Sequence, residues 1–158
     1  VTVIFRRNET LELNLCEFTG AITLDELKAL AKYQADKPDI LGSDTLNIVR
    51  ADGDFSAISL ADLDRLFELY RRLFTPLRLQ IFRRAVWLCE TDAPKAHVSH
   101  WLSQDAKEAM SSTVKHCHSF TEAADWLLLT DAERVMVEQG EGFPEIVRYP
   151  EPARALVR

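Results

Sequence analysis

Near the start of the chain, apolar positions recur every second residue. Leu11, Leu13 and Leu15 fall on one face against Glu12, Asn14 and Cys16 on the other, after a β-branched and aromatic run over 1–5 and a polar break over 6–8. This alternation predicts a β-hairpin with one buried face. Gly20 ends it and the period lengthens: Leu24, Leu27, Leu30 and Ala31 are spaced for a helix, and Thr23 with Glu26 supplies a capping box, so a first helix is expected over 24–34. Pro38 and Gly42 mark the connection to a short apolar strand at Leu46, Ile48 and Val49. The chain then passes through an acidic, serine-containing loop into Leu60, Leu63, Leu66, Phe67 and Tyr70 at helical spacing. Ser59 is placed to cap this second helix, with Asp62 at its third position, and Pro76 stops it.

The continuous apolar run over 85–88 suits a fully buried strand with Val86 and Trp87 on opposite faces. A turn over 90–94 leads to a third helix, expected over 95–110, and 114–120 reads as another strand in spite of His116, Cys117 and His118. Thr121 is the expected cap of a short helix that turns Ala123, Ala124, Trp126 and Leu127 inward, and an acidic helix covers 131–139. The remainder, broken by Gly140, Gly142, Pro144, Pro150 and Pro152, reads as an extended tail whose Phe143, Ile146, Val147 and Tyr149 could dock on the domain or on a second copy. The element order predicts an α/β fold: a mixed β-sheet of about five strands with helices packed on it, as one domain over 1–129 followed by a helix and tail over 130–158.

Composition narrows the function classes. The apolar fraction of 47% with 28% charged residues is that of a soluble globular chain, and no stretch approaches the ~18 apolar residues of a membrane span. A net charge of -6 opposes nucleic acid as the main partner, because neutralising phosphates needs a basic surface. Locally, Arg71, Arg72, Arg78, Arg83 and Arg84 fall in a stretch that contains no acid, which is either a basic patch or a solvated helix end. Three well-separated cysteines, Cys16, Cys89 and Cys117, read as reduced and buried rather than as a disulfide framework, and with them a cytoplasmic location is expected.

The segments TLELNLCEFTGAITLDEL, RRAVWLCE and VKHCHSFTEAADWLLL, in this order, resemble the SpoIIAA-like group of STAS domains. The likeness is carried by Gly20 and Thr23 before the first helix, by the basic-then-apolar strand from Arg83 to Leu88, and by Phe120, Glu122, Ala123, Ala124, Trp126 and Leu127 near the end. It covers 1–129. The resemblance implies a mixed sheet with helices on it and a non-enzymatic regulatory or protein-interaction module. In the anti-sigma-factor antagonists of that superfamily, a serine at the start of the second helix is phosphorylated by a partner kinase. The corresponding loop here holds Asp52, Asp54, Ser56 and Ser59, although Ser56 follows Phe55, Ser59 follows Ile58, and no glycine comes soon after.

Chemical motifs are sparse. Ser59 doubles as a structural N-cap. Asp52, Asp54, Glu90 and Asp92 would make a hard-cation site, and so a metal-dependent enzyme, only if their strands are neighbours. His97 and His100 share a helix face and His116 and His118 a strand face; a helix of about fifteen residues, about 22 Å long, is expected to hold the two pairs at opposite ends. Cys117 lies between two histidines that point to the other face of the strand. There is no glycine-rich nucleotide loop and no nucleophile elbow. The leading expectation is a protein-binding module, possessing no cofactor or metal, that uses the loop over 52–59 and the exposed side of the second helix, with homodimerisation through the tail as a further option. The alternative is a carrier of a small apolar or anionic ligand between helix and sheet, with Arg71, Arg72, Arg83 and Arg84 as counter-charge and Trp87, Trp101 or Phe74 as apolar wall.

Overall fold

The computed structural model of the protein describes residues 2–77, 83–104 and 112–151. Strands β1 (Val3–Asn8) and β2 (Leu13–Phe18) form the hairpin. Then come α1 (Leu24–Ala35), the single turn α2 (Pro38–Leu41), β3 (Asp44–Val49), α3 (Leu60–Phe74) with a closing 3-10 turn, β4 (Arg83–Cys89), α4 (Lys95–Leu102), β5 (Ser112–Cys117), α5 (Phe120–Trp126), α6 (Asp131–Gln139) and β6 (Glu145–Tyr149). The fold is α/β, and among the described residues six strands in the order β5-β4-β3-β2-β1-β6 carry six helices packed on them. Pairing from β2 to β5 is parallel, and β1 is antiparallel to both β2 and β6.

Both faces of the sheet are covered, which corrects the expectation of a hairpin with one buried face. Leu13 and Leu15 of β2 join Leu46, Ile48, Val86 and Leu88 under α5 and α6, while Cys16 and Phe18 of the same strand join Val49 and Cys89 under α1, α3 and α4. Asn14 is also buried, and it is satisfied: Arg7 Nη1 donates to its Oδ1 at 2.8 Å and its Nδ2 donates to the Ile40 carbonyl at 2.8 Å. A polar residue in the alternation marked a second interior, not solvent.

The stretch expected as an appended tail supplies the sixth strand. Val3 pairs with Tyr149 and Phe5 with Val147, and Phe143 and Tyr149 are buried, so this segment docks on its own sheet, leaving Ile146 exposed. The cap of α5 is Ser119, whose side chain accepts from the Glu122 N–H, so Thr121 lies inside the helix. Strand β5 occupies 112–117 instead of 114–120, and the part of the expected third helix over 105–110 lies outside the described residues. Leu60 is 44% exposed and leaves the inward stripe of α3 to Leu63, Leu66 and Phe67. Trp126 is half-buried, with Lys115 Nζ 5.4 Å from its ring centre.

Two measurements test this account. Ile48→Ala removes a fully buried side chain between β2 and β4 and is expected to cost about 2–5 kcal/mol in a urea titration, whereas Leu60→Ala should change stability by less than about 0.5 kcal/mol. The Asp62 and Glu133 carboxylates accept the backbone N–H of Ser59 at 3.1 Å and of Thr130 at 2.9 Å, and these bonds hold both acids below the usual carboxylate value. Their folded pKa is depressed, so their contribution is complete above about pH 5, begins to be lost near the unfolded values, and is gone once pH has fallen through the depressed value. The urea midpoint should decline below about pH 4, and a variant carrying Asp62→Asn and Glu133→Gln should decline less steeply.

Candidate functional site

The helix layer of α1, α3 and α4 does not close fully on the sheet. Between them lies a pocket of about 110 Å³. Its floor is the face of the parallel strands that carries Phe18, Thr45, Asn47, Arg83, Ala85, Trp87 and Val114, and its roof is built by Leu27, Leu30 and Gln34 of α1, Leu63, Leu66 and Tyr70 of α3, and Val98 and Trp101 of α4. The opposite face packs densely because Leu46, Ile48, Val86 and Leu88 meet α5 and α6 directly. On the pocket face the same strands carry an alanine, a threonine and an asparagine at matching positions, Thr45 opposite Ala85 and Asn47 opposite Trp87, and these shorter or polar side chains leave the gap.

The pocket has two chemically different ends. At the amino-terminal ends of the strands, Arg83 donates from Nη1 to the Leu41 carbonyl at 2.8 Å, while its Nε is shut off from solvent and meets no acceptor among the described residues. Burial pushes the Arg83 guanidinium below the usual arginine value, partly offset by the nearby Tyr70 and Asp44. Asp44 does not pair with it, because Asp44 Oδ1 accepts the Arg84 backbone N–H at 2.7 Å. Tyr70, whose phenol is pushed up by burial, reaches Gln34 Oε1 at 3.5 Å beside this arginine. At the carboxyl ends the lining is aromatic: Phe18 stacks on Trp87 with ring centres 5.3 Å apart, Phe55 lies 5.8 Å from Phe18, and His97 stacks on Phe55 at 5.9 Å. His97 Nε2 lies 2.7 Å from the Ile58 carbonyl, an acceptor, so Nε2 carries the proton.

The loop over 52–59, expected to bind a protein partner, contributes Phe55 to the wall of this pocket. It is stitched to the β2–α1 connection by the Asp54 N–H to the Gly20 carbonyl at 2.8 Å and the Ile22 N–H to the Asp54 carbonyl at 2.9 Å, and it buries Phe55 and Ile58. Gly53 is required there: a Cβ would stand 2.7 Å from Val49 Cγ1 and 3.1 Å from the Phe18 carbonyl. The polar loop residues point outward. Asp52, Asp54, Ser56 and Ser59 are exposed; Asp54 Oδ1 accepts the Ser56 N–H at 2.8 Å, and Ser59 forms a reciprocal capping box with Asp62.

The remaining candidates separate. Strands β3 and β4 are neighbours, as the acidic cation site requires, but Glu90 gives one oxygen to Arg50 Nη1 at 2.8 Å and the other to the Ala51 N–H at 3.0 Å. Among the described residues no three metal-binding side chains converge. The expected basic patch is dispersed: Arg71 pairs with Glu68 on the exposed side of α3, Arg72 and Arg84 are exposed, Arg83 faces the pocket, and Arg78 lies outside the described residues. Of the three expected wall residues, Trp87 and Trp101 line the pocket, and Phe74 is buried against Tyr70 instead.

The histidine pairs are not at opposite ends of a crossover. Because β5 begins at Ser112, His116 lies in register with Trp87 near the carboxyl end of β5, the edge at which α4 starts. The pairs nevertheless have different partners: His100 Nε2 meets Asp64 Oδ1 at 2.7 Å, and the His116 and His118 rings sit 4.8 Å apart. Burial, then the neighbouring His118, lowers the His116 value. All three cysteines are free and buried, and burial raises each thiol, Cys89 to about 11, which disfavours a thiolate nucleophile.

Gln34, Thr45, Asn47 and Phe55 escaped the sequence reading as pocket residues, and Tyr70 and His97 entered it only as a position on the stripe of the second helix and as half of a metal-ligand pair. The available signal was the row of polar residues at Thr45, Asn47 and Arg83 on strands whose other face carries Leu46, Ile48, Val86 and Leu88. No protein-family profile, no curated protein and no solved structure matches this chain. No described helix is long and apolar enough to cross a membrane.

The loop and cap can be tested separately from the pocket. Ser59→Ala should cost about 1 kcal/mol in a denaturant titration by removing the acceptor for the Asp62 N–H, and Ser59→Asp should restore most of it, aspartate being an equally good N-cap.

Proposed function

We propose that this chain is a binding module for a small, mainly apolar molecule held between the sheet and the α1, α3 and α4 layer. The observation that carries this reading is the pocket itself: apolar and aromatic side chains dominate its lining, with a few polar groups among them, Arg83, Tyr70 and Gln34 at one end and Asn47 and His97 further along, the usual composition of a ligand site. Its about 110 Å³ is of the order of the engineered apolar cavity of 150 Å³ known to take up benzene, so the occupant is small. A binding role in preference to catalysis is supported by His97, the lining side chain best suited to proton transfer, whose Nε2 proton is committed to the Ile58 carbonyl.

A second reading keeps the STAS-like expectation of a regulatory protein-interaction module controlled at serine. It is favoured by the exposed Ser59 at the amino terminus of α3, the helix whose Leu63, Leu66 and Tyr70 form the pocket roof, so that a phosphate there would act on the wall of the same site. A phosphoryl mass increment mapped to Ser56 or Ser59 in protein from its own host would establish it.

The pocket reading is tested with benzyl alcohol as a probe. A ligand that binds only the folded state raises its stability with concentration. Benzyl alcohol at millimolar concentration should raise the thermal midpoint of the native chain and leave that of Ala85→Leu unmoved, because the added side chain fills the floor. An absent shift, or an equal shift in both proteins, contradicts the reading.

A further inference from the structure

The polar end of the pocket specifies more than an apolar occupant. Arg83 is half-buried, and the part of its guanidinium withdrawn from water, Nε above all, is expensive unless it finds an acceptor. Arg83 satisfies one of them on the Leu41 carbonyl at 2.8 Å; its buried Nε meets nothing among the described residues, and no carboxylate there forms an ion pair with it. Asp44, the acid whose charge acts on it, has Oδ1 engaged by the Arg84 backbone. Around it stand a phenol at Tyr70 and a hydroxyl at Thr45, with no acid among the lining residues. A guanidinium in this setting binds a planar anion through paired hydrogen bonds better than any neutral group.

We infer that the occupant is a small carboxylic acid with an apolar, preferably aromatic body, its carboxylate on Arg83 and its body lying over Ala85 toward Trp87 and Trp101. This assignment rests on the pocket reading and deepens it. The geometry supports the orientation: Arg83, Ala85 and Trp87 are successive residues on one face of β4, so a head at Arg83 places the body along the strand toward the aromatic end, a distance of about 13 Å from residue 83 to residue 87. The limited volume excludes a long acyl chain and suits a single ring. An unpaired charge retained inside a protein is also expected to be a burden in the empty state, so Arg83 should be replaceable with no loss of stability while binding suffers.

The test compares two probes of one shape, benzoate and benzyl alcohol, by calorimetric titration of the full chain at pH 7. Benzoate is expected to bind at least about tenfold more tightly, since a charge-assisted pair is roughly twice as strong as a neutral hydrogen bond. In Arg83→Met that preference should vanish, benzoate binding no more tightly than benzyl alcohol to the same variant, and the thermal midpoint of the unliganded variant should equal or exceed that of the native chain. If the native chain binds both probes equally, the carboxylate assignment is wrong while the pocket reading stands, and this comparison does not depend on the variant folding. If Arg83→Met keeps the benzoate preference, the assignment to Arg83 is wrong. If neither probe binds at millimolar concentration, both readings fall.

Discussion

Burial of the central strands on both faces is the constraint from which the rest of the structure follows. A parallel strand cannot return to its neighbour by a hairpin, so β2, β3, β4 and β5 require crossovers, and the helices that make them are obliged to cover the sheet. Every second residue of β2, β3 and β4 then meets one helical layer and its neighbours meet the other. The two layers are not equivalent. Leu46, Ile48, Val86 and Leu88 give α5 and α6 a continuous apolar surface, whereas Thr45, Asn47, Arg83 and Ala85 give α1, α3 and α4 an interrupted one, and the pocket is the consequence of that interruption.

The interruption is organised. Asn14 and Arg7 satisfy one another and the α2 carbonyl of Ile40, and Asn47 Nδ2 donates to the Val86 carbonyl at 3.3 Å, so these buried polar groups are settled within the fold. Arg83 is different, because its Nε is left without an acceptor among the described residues in a place where desolvation is costly. Local rules are obeyed elsewhere: three helices begin with reciprocal capping boxes, at Thr23, Ser59 and Thr130. Among the described residues four buried side-chain atoms lack a partner, Glu26 Oε2, Arg83 Nε, His116 Nε2 and Trp126 Nε1, and of these four residues Arg83 alone lines the pocket. A breach of local rules at such a place is the pattern expected of a functional position.

Much of this was legible in the chain. The caps at Thr23 and Ser59, the opposite orientations of Val86 and Trp87, and the placing of Trp87, Trp101 and Arg83 between helix and sheet all come from periodicity and local chemistry. What was not legible depends on tertiary partners. The single buried face inferred for the hairpin failed because Asn14 and Cys16 look solvent-facing until a helical layer is known to cover them. The strand at 145–149 has too little periodicity to announce itself, and its pairing with β1 is a contact across most of the chain. The arginines cluster in sequence, yet alternation along β4 sends Arg83 inward and Arg84 out, so proximity in sequence said little about a shared patch. The order of the histidine pairs was misjudged because it hung on the first residue of β5, and strand boundaries are the least determined feature of a sequence.

The central claim, that the cavity on one face of the sheet takes up a small ligand, is tested most directly by the three tryptophan indole N–H signals in a two-dimensional nitrogen–proton spectrum recorded while benzoate is added. Trp87 and Trp101 line the pocket, and Trp126 lies in the opposite layer. Two of the three signals should move, and the Trp126 signal, assigned with Trp126→Phe, should stay. No movement, or movement of the Trp126 signal alone, would contradict the account.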